Sequence, residues 1–239
     1  METDKKTVAV VIPCFNYGKF LEECVDSVVS QTYKVDEIII VNDGSPDNTT
    51  EVANSLIKKY PGSNIILVEK KNGGLSSARN AGIRIAKSKL ISCLDADDKL
   101  VPGAIEEHVR LNEDELTISQ AALMECGERY VIMTPTHPTG LERILHGNTI
   151  YCNAMFSRKV WEAIGGYDES DTMRLGWEDY EFWVRCLEYG CWVNTSDMIC
   201  LRYRVHGNNM TKMTTRPNWD KLKAYIRDKH IHLYEKFNL

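Results

Sequence analysis

The sequence lacks the features that would place it in several special classes of protein. No apolar run approaches the roughly 20 residues that a membrane-spanning helix needs, and the longest runs are the length of a strand. No apolar stretch precedes the first of these runs, so we expect no signal peptide. The hydrophobic fraction of 43% and the charged fraction of 26% exclude a disordered, collagenous or coiled-coil chain. With 239 residues, we expect one domain in a cytoplasmic protein.

Three common sequence signals for metal and nucleotide sites are also missing. The eight cysteines include no Cys-x-x-Cys pair, which argues against a structural zinc site and favours buried thiols in a reducing compartment. The sequence contains no Gly-x-Gly-x-x-Gly and no phosphate-binding loop that ends in Lys-Ser or Lys-Thr. Dinucleotide binding and P-loop chemistry therefore lose support.

The charge that is present is unevenly distributed. The chain carries a net charge of −5, but the segment from Leu201 onward contains nine basic residues and only three acidic ones. That segment is therefore at +6 and the rest at −11, which points to an anionic partner for the C-terminal segment alone. The acidic body makes nucleic acid an unlikely partner.

The first hundred residues alternate between strand and helix patterns. Continuous apolar runs predict strands that are buried on both faces, at residues 7–13, 37–42, 65–68 and 90–94. Helical periodicity fills the intervals, and we expect Ser45 as the cap and Pro46 as the first-turn proline of a helix that ends near Tyr60. Four strands with crossover helices predict a parallel sheet, with ligands at the carboxyl ends of its strands.

The pattern after Asp98 is less regular. We predict helices over 102–111, 158–164 and 178–189, strands over 117–124, 129–134 and 150–156, and one or two strands within 192–205. A final basic helix from Trp219 places Leu222, Ile226, Leu233 and Phe237 on the same apolar face as Trp219. This face either packs on its own domain or lies on an anionic membrane. The single domain then has a first half (1–100), a second half (101–215) and a C-terminal basic helix (216–239).

Two acidic clusters directly follow predicted strands. In the first, Asp43 can accept a hydrogen bond from a nucleobase or ribose, and Gly44 lets a ligand approach the backbone. The alternative is an Asx turn that caps the next helix. In the second, Asp95, Asp97 and Asp98 repel one another unless a cation neutralises them, which favours Mg²⁺ or Mn²⁺ over a solvated turn.

Three further features could take part in chemistry. Glu178 and Asp179 begin a helix after Trp177, where an acid is either an ordinary partner of the helix dipole or a general base. Arg79 stands one turn inside a helix that follows two glycines and could reach a ligand there. His206 follows a predicted strand and is either a metal ligand or an ordinary surface or core histidine.

Taken together, seven segments resemble the motifs of the family 2 glycosyltransferases, in family order and over nearly the whole chain. They are Val11-Ile12-Pro13-Cys14-Phe15-Asn16, the Asp-Gly-Ser turn at 43–45, the Asn-Gly-Gly-Leu-Ser-Ser-Ala-Arg-Asn segment at 72–80, Asp95-Ala96-Asp97, Gly165-Gly166-Tyr167-Asp168, Trp177-Glu178-Asp179 and Tyr203-Arg204-Val205-His206. The resemblance implies an α/β chain with the GT-A fold. It also implies an inverting enzyme that moves a sugar from a nucleotide sugar to an acceptor hydroxyl.

The same resemblance implies a role for each motif residue. Asp43 would bind the base with help from Arg79, Asp95 would hold the ribose or a metal-bound water, and Asp179 would be the general base. Asp97 would ligate Mn²⁺ or Mg²⁺, with His206 as a second ligand in some family members. The remaining residues of the expected nucleotide-sugar site are Pro13, Phe15, Asn16, Gly44, Ser45, Ala96, Trp177 and Glu178.

The sequence leaves the substrates open. The resemblance favours a UDP-sugar donor and a glycan or lipid-linked acceptor. Two alternatives are a catalytically silent protein that binds nucleotide sugars and the same transfer onto a modified nucleic-acid base. A phosphatase of the haloacid dehalogenase type also uses Asp-x-Asp, but Lys99 stands where that chemistry needs Thr or Val.

Overall fold

A computed structural model describes residues 6–128, 130–136 and 139–239. The strands are β1 (Val8–Cys14), β2 (Glu37–Asn42), β3 (Ile65–Glu69), β4 (Leu90–Cys93), β5 (Lys99–Leu100), β6 (Thr117–Gly127), β7 (Val131–Met133), β8 (Met155–Ser157) and β9 (Trp192–Val205). The helices are α1 (Gly18–Val29), α2 (Thr49–Lys59), α3 (Leu75–Ile85), α4 (Ala104–Leu111), α5 (Leu141–Ile144), α6 (Arg158–Ala163), α7 (Glu178–Tyr189), α8 (Trp219–Lys229) and α9 (Ile231–Phe237).

The described strands form one sheet in the order β3-β2-β1-β4-β8-β6-β9-β5, with β7 paired to β6. Strands β1 to β4 are parallel, as the sequence predicts, and Val11 of β1 lies between Ile39 of β2 and Cys93 of β4. The carboxyl ends of these strands meet at one edge, where Asp43 and Asp95 follow β2 and β4. The α/β class expected from the sequence, with a central mostly parallel sheet flanked by helices, is confirmed.

The second half of the sheet mixes strand directions. Strand β8 is antiparallel to β4, and the long strands β6 and β9 run parallel to each other with register shifts near Ala122. The predicted strand over 150–156 is shorter than expected, because Tyr151 to Ala154 form a turn that is closed by a hydrogen bond from the Ala154 amide to the Tyr151 carbonyl (3.1 Å). Of the predicted strand over 129–134, residue Arg129 lies outside the described residues.

The predicted start of helix α2 is wrong. Helix α2 begins at Thr49, because the side chain of Asp47 accepts the Thr49 amide (3.1 Å) and thereby stabilises a later start. The Ser45 amide donates to the Asn42 side chain (2.8 Å), and the Ser45 hydroxyl donates to the Cys14 carbonyl (3.2 Å). Ser45 therefore connects the ends of β1 and β2 instead of capping a helix.

Two clusters of buried apolar residues cover the two faces of the sheet. The C-terminal helices belong to one of them: Leu222, Ile226 and Leu233 are buried there with Phe182 and Trp183 of α7. The apolar face of the predicted final helix thus packs on its own domain. The predicted helix is interrupted at His230, which separates α8 from α9. No helix in the described part of the chain is long and apolar enough to span a bilayer.

A buried ion network joins α7 to α8. Glu181 is inaccessible to solvent and accepts hydrogen bonds from Arg185 (2.7 and 2.6 Å), and the Lys229 ammonium lies 2.7 Å from it. Burial opposes ionisation, but bonds from His230, Arg185 and Lys229 hold the pKa of Glu181 at about 2. Lys229 also binds Asp168 (2.7 Å), so the network ties α8 to the segment between α6 and α7 as well.

Candidate active site

A cavity of about 760 Å³ opens at the carboxyl ends of the parallel strands. The start of α7, residues 208–211 and residues 213–215 also line it. Ten of the residues expected from the sequence line it: Pro13, Phe15, Asp43, Arg79, Asp95, Ala96, Asp97, Trp177, Glu178 and Asp179. The fold therefore brings together residues that are separated by more than 160 positions in the chain.

The Asp43 carboxylate is buried and is already held by three donors. One oxygen accepts bonds from the Lys70 ammonium (2.6 Å) and the Gly73 amide (2.9 Å), and the other accepts the Gly74 amide (2.8 Å). The Asn72 side chain also donates to the Asp43 carbonyl (3.0 Å). These bonds fix the carboxylate at the cavity wall, next to the start of α3.

Arg79 is the buried centre of the site, with only 1% of its surface exposed. Its guanidinium donates to Glu178 (2.6 Å) and to Asp95 (2.9 Å), so it links the end of β4 to the start of α7. The Asp95 side chain stays 26% exposed and reaches the cavity. One cation thus pairs with two carboxylates, and Asp95 keeps an accessible edge.

Asp97 and Asp98 have separate environments. Asp97 lines the cavity, and its Oδ2 lies 3.0 Å from Nε2 of His206 and 3.4 Å from the Asn209 amide nitrogen. Asp98 faces away and accepts the backbone N–H of Arg204 (2.8 Å). Burial and the neighbouring carboxylates raise the pKa of both residues. Of the two, Asp97 is the one placed to meet a ligand.

The donor set at Asp97 fits a divalent cation that is completed by the substrate. A carboxylate oxygen and an imidazole nitrogen are both ligands that Mn²⁺ accepts, and Mg²⁺ in nucleotide sites often takes one or two carboxylates plus phosphate oxygens. Residues 6–128, 130–136 and 139–239 contain no group of three or more His, Cys, Asp or Glu side chains arranged around a metal. Asp97 and His206 would therefore hold a cation only together with a phosphate-bearing ligand.

Asp179 lines the same cavity as Asp97 and stands in the first turn of α7. Burial and the adjacent Glu178 carboxylate raise the pKa of Asp179 to about 7, against the opposing effect of Arg79. The Asn148 side chain donates to Asp179 Oδ2 (3.2 Å) and orients it. A carboxylate with a pKa near 7 is suited to take up a proton at neutral pH.

The backbone before Asp179 adopts an unusual conformation. Trp177 has a φ of 62°, in the left-handed region that side chains other than glycine seldom adopt. Its ring packs edge-on against Trp219 of α8 at 5.0 Å, and Thr215 lies so close to Gly176 that a Cβ there would meet its hydroxyl at 2.2 Å. Contacts from the C-terminal segment thus hold the turn that presents Asp179.

Four of the expected residues do not line this cavity. Asn16 lines a smaller neighbouring cavity, and its backbone N–H donates to the Ser45 hydroxyl (3.1 Å). Gly44, with a φ of 71°, packs against the amide of Asn72, where a side chain would clash. His206 reaches the site only through Asp97. Asn16, Gly44 and Ser45 thus shape the loops behind the cavity wall.

Sequence reasoning missed Lys70, Asn148 and Arg174. Lys70 and Asn148 hold the two carboxylates Asp43 and Asp179, and Arg174 lines the cavity and donates to the Asn72 side chain (3.0 Å). Arg174 stands five residues before Asp179, and this nearness to a motif is only a weak indication that it belongs to the site. Lys70 and Asn148 lie in segments with no motif, so only their spatial neighbours reveal them.

The sheet has the GT-A type of α/β fold, which two solved structures share. TarS of S. aureus, in complex with UDP-GlcNAc, has a TM-score of 0.72 at 16% identity over 87% of this chain and 61% of that one. The mannosyltransferase PcManGT from Pyrobaculum calidifontis, in complex with GDP-Man and Mn²⁺, has a TM-score of 0.74 at 19% identity over 96% and 65%.

The sequence comparisons give the family. The model of glycosyl transferase family 2 matches residues 9–178, so the chain belongs to that family. A relative is chondroitin synthase from Pasteurella multocida, which is 29% identical over 84% of this chain. The chain spans only 21% of the length of that relative.

Proposed function

We propose that this chain is an inverting glycosyltransferase that moves a sugar from a nucleotide sugar, a UDP-sugar in the first instance, to an acceptor hydroxyl. One observation carries the proposal: a single cavity is lined by two carboxylates with different partners. Asp97 pairs with His206, whereas Asp179 accepts a hydrogen bond from Asn148 and has a pKa near 7. Transfer with inversion needs two such groups, one on the leaving side and one on the attacking side.

On the attacking side, Asp179 accepts the proton of the acceptor hydroxyl as its oxygen bonds to the anomeric carbon. The carboxylate is oriented by Asn148, and the start of α7 is tied to Arg79 through Glu178. Attack from the face opposite the leaving group inverts the anomeric centre. General-base catalysis of this kind contributes about 10²–10⁴ to the rate.

On the donor side, Asp43 and Asp95 bind and orient the nucleoside. The exposed edge of Asp95 can accept ribose hydroxyls, while Arg79 holds the carboxylate in place. A divalent cation at Asp97 and His206, when bound, supplies positive charge that offsets the charge on the departing diphosphate. The TarS complex with UDP-GlcNAc supports UDP as the nucleotide, and the PcManGT complex with GDP-Man keeps GDP as the second candidate.

Nucleotide release from UDP-, GDP- and dTDP-sugars, measured with Mn²⁺ and with chelator, tests this function. We expect slow hydrolysis of one donor class, with loss in Asp179→Asn and retained binding of the nucleotide. Nuclear magnetic resonance of the first sugar product should show the inverted anomer. Tight nucleotide-sugar binding without hydrolysis or transfer to any supplied glycan or lipid-linked acceptor would instead identify a silent binding protein.

A further inference from the structure

The C-terminal end of α7 brings two cysteines together. Gly190 ends the helix with a φ of 108°, in the left-handed region that glycine adopts freely. The Cys191 amide donates to the Cys186 carbonyl (3.0 Å), and the Gly190 amide donates to the Leu187 carbonyl (3.2 Å). These two bonds define a Schellman motif, a helix end at which the side chains before and after the turn contact each other. Both of those side chains, Cys186 and Cys191, carry a thiol in this chain.

The two thiols differ in their environments. Cys186 is inaccessible to solvent, whereas Cys191 is 7% exposed. A hydrogen bond between the thiols lowers the pKa of Cys191, and it outweighs burial and the Asp114 carboxylate, which act in the opposite direction. Burial and the same hydrogen bond raise the pKa of the Cys186 thiol. Cys191 is therefore both the more acidic and the more exposed thiol of the pair, and these two properties favour attack by its sulfur.

Other buried cysteines have partners of a different kind. The thiols of Cys14, Cys24 and Cys93 are hydrogen-bonded to oxygen atoms, which belong to a threonine hydroxyl, a backbone carbonyl and a tyrosine hydroxyl in that order. Burial raises the pKa of all three thiols, so they stay protonated at neutral pH. Within residues 6–128, 130–136 and 139–239, Cys186 and Cys191 alone form a hydrogen bond between two thiols. The end of α7 is thus the site at which two cysteines can react with each other.

We propose that Cys186 and Cys191 form a reversible disulfide when a peroxide oxidises the protein, and that this bond fastens the C-terminal end of α7 to the start of β9. The backbone bonds of the turn already hold the two residues side by side. A small thiol reverses the oxidation by thiol–disulfide exchange. The inference goes beyond the proposed function and does not depend on it, because neither cysteine lines the active cavity.

The oxidation takes two steps. The Cys191 thiolate attacks one oxygen of hydrogen peroxide, the O–O bond breaks, and the departing hydroxide takes up the proton that the thiol released. The Cys186 sulfur then attacks the sulfur of the resulting sulfenic acid, so that the S–S bond forms and the S–O bond breaks. The hydroxyl group leaves as water with the Cys186 proton. Two thiols thus lose two electrons in total, and one peroxide becomes two water molecules.

The disulfide acts on stability and leaves the opposite end of α7 in place. Its two residues are already held by backbone bonds, and Asp179 lies in the first turn of the helix. A covalent bond across this short turn reduces the conformational freedom of the unfolded chain. We therefore expect the oxidised protein to melt about 2–8 °C higher than the reduced protein.

Alkylation followed by peptide mapping tests the bond. Trypsin cuts after Arg185 and Arg202 and releases one peptide that contains Cys186, Cys191 and Cys200. The folded protein is treated with dilute hydrogen peroxide and then denatured in the presence of the alkylating agent. We expect this peptide to carry one alkyl group and to have lost two hydrogen atoms. After treatment with dithiothreitol, the same peptide should carry three alkyl groups.

A second digestion identifies the partners. Chymotrypsin cuts after Tyr189 and Trp192, which separates the two cysteines from each other and from Cys200. The fragments 186–189 and 190–192 should stay joined in the oxidised protein and come apart after reduction.

Matched variants separate this pair from the other cysteines. Cys191→Ser keeps the shape of the side chain but removes the attacking sulfur, so after peroxide its tryptic peptide should carry two alkyl groups and its melting temperature should not rise. Cys191→Ala gives the same test without a buried hydroxyl, should the serine variant unfold. Cys126→Ser removes a partly buried cysteine of β6 and should form the disulfide like the unmodified protein.

Three results would overturn the proposal. One is a tryptic peptide with three alkyl groups after peroxide treatment of the folded protein. Another is a sulfinic acid at Cys191, because Cys186 would then have failed to attack the sulfenic acid. The third is a disulfide that forms equally well in urea, because the turn of the folded chain would then have no part in it. None of these results bears on nucleotide-sugar hydrolysis, so the proposed function stands or falls separately.

Discussion

The two halves of the sheet place their functional groups by different means. In the first half, Asp43 and Asp95 directly follow β2 and β4, so the backbone of two buried parallel strands decides where they stand. In the second half, Asp179 depends on a left-handed turn at Trp177, on Asn148 from a separate loop and on packing against Trp219. The first arrangement is local to the sheet, whereas the second needs three distant segments to come together.

This difference determines which changes the molecule should tolerate. Groups that sit on strand ends keep their positions as long as the sheet is intact. Groups that are held by contacts between segments can be displaced by changes far from the cavity. The acceptor side should therefore be the more sensitive half, and the following experiments test that expectation from the largest effect to the smallest.

Removal of the C-terminal helices should have the largest effect. Truncation after Thr215 exposes the core around Phe182 and Trp183 and strips Lys229 and His230 from the buried Glu181, so we expect a protein that does not fold. The single change Leu222→Ala should lower the free energy of unfolding by about 2–5 kcal/mol. Its exposed neighbour provides the control, since Lys223→Ala should change stability by less than about 0.5 kcal/mol.

Chemical denaturation of both point variants measures this difference. Equal stabilities of Leu222→Ala and Lys223→Ala would contradict the packing of α8 on the core. A truncated protein that folds, but no longer binds anionic vesicles that the full chain binds, would restore the membrane helix that the sequence allowed.

Asp179→Asn should have the next largest effect. We expect kcat to fall by about 10²–10⁴ with little change in donor binding. With the base intact, activity should rise with pH and level off above about 7, because Asp179 must lose its proton before it can accept another. A pH profile that stays flat between pH 5 and 8, or near-normal turnover in the variant, would exclude Asp179 as the base.

The same variant should be more stable than the unmodified protein at high pH. The pKa of Asp179 is higher in the folded state than in the unfolded state, so its ionisation opposes folding progressively from about pH 4 to 7 and fully above that range. After allowance for partial solvent exposure, the gain in Asp179→Asn should be about 1–2 kcal/mol at pH 8 and smaller at pH 5. Thermal unfolding at the two pH values measures it.

The site also shows how much of the structure could be predicted from the sequence. The strand ends, the positions of Asp97 after β4 and Asp179 at the start of α7, and the bounds of α7 could be predicted from apolar runs and motifs that lie within a few residues of each other. The later start of α2 does not, because Ser45 takes part in hydrogen bonds with Cys14 and Asn42 that only the folded sheet brings close. Lys70 and Asn148 were missed for the same reason, since their partners are 27 and 31 residues away.

Asp97→Ala should have a smaller but specific effect on the donor side. We expect Mn²⁺-dependent binding of the nucleoside diphosphate to be lost, while binding without the metal is unchanged. Asp98→Asn should retain metal dependence, since Asp98 faces the backbone of Arg204 instead of the cavity. His206→Ala should weaken metal binding less than Asp97→Ala does, because water can fill one coordination position.

Calorimetry with and without Mn²⁺ resolves these three variants. Metal dependence that survives in Asp97→Ala and disappears in Asp98→Asn would reverse the two assignments. Unchanged metal dependence in His206→Ala would leave that histidine as a structural partner of Asp97.

The smallest effect should come from Asn148→Ala. The Asn148 amide stabilises the ionised form of Asp179, so its removal should raise the pKa of Asp179 and move the acidic limb of the activity profile upward by about 0.5 pH units. We expect kcat at pH 8 to fall only severalfold. A limb that moves to lower pH would contradict the hydrogen bond and its sign.

In the proposed function Asp43 binds the nucleobase, and the three donors around it then bear on which base fits. A carboxylate has about four lone-pair sites, and Lys70, Gly73 and Gly74 already occupy three of them. One acceptor site is left for an incoming base. Uracil presents a single N–H on its pairing edge and would fill that site, whereas guanine presents two adjacent N–H groups and would leave one unsatisfied at a buried wall. If Asp43 binds the base as we propose, the loop that holds it therefore favours uridine over guanosine in the donor.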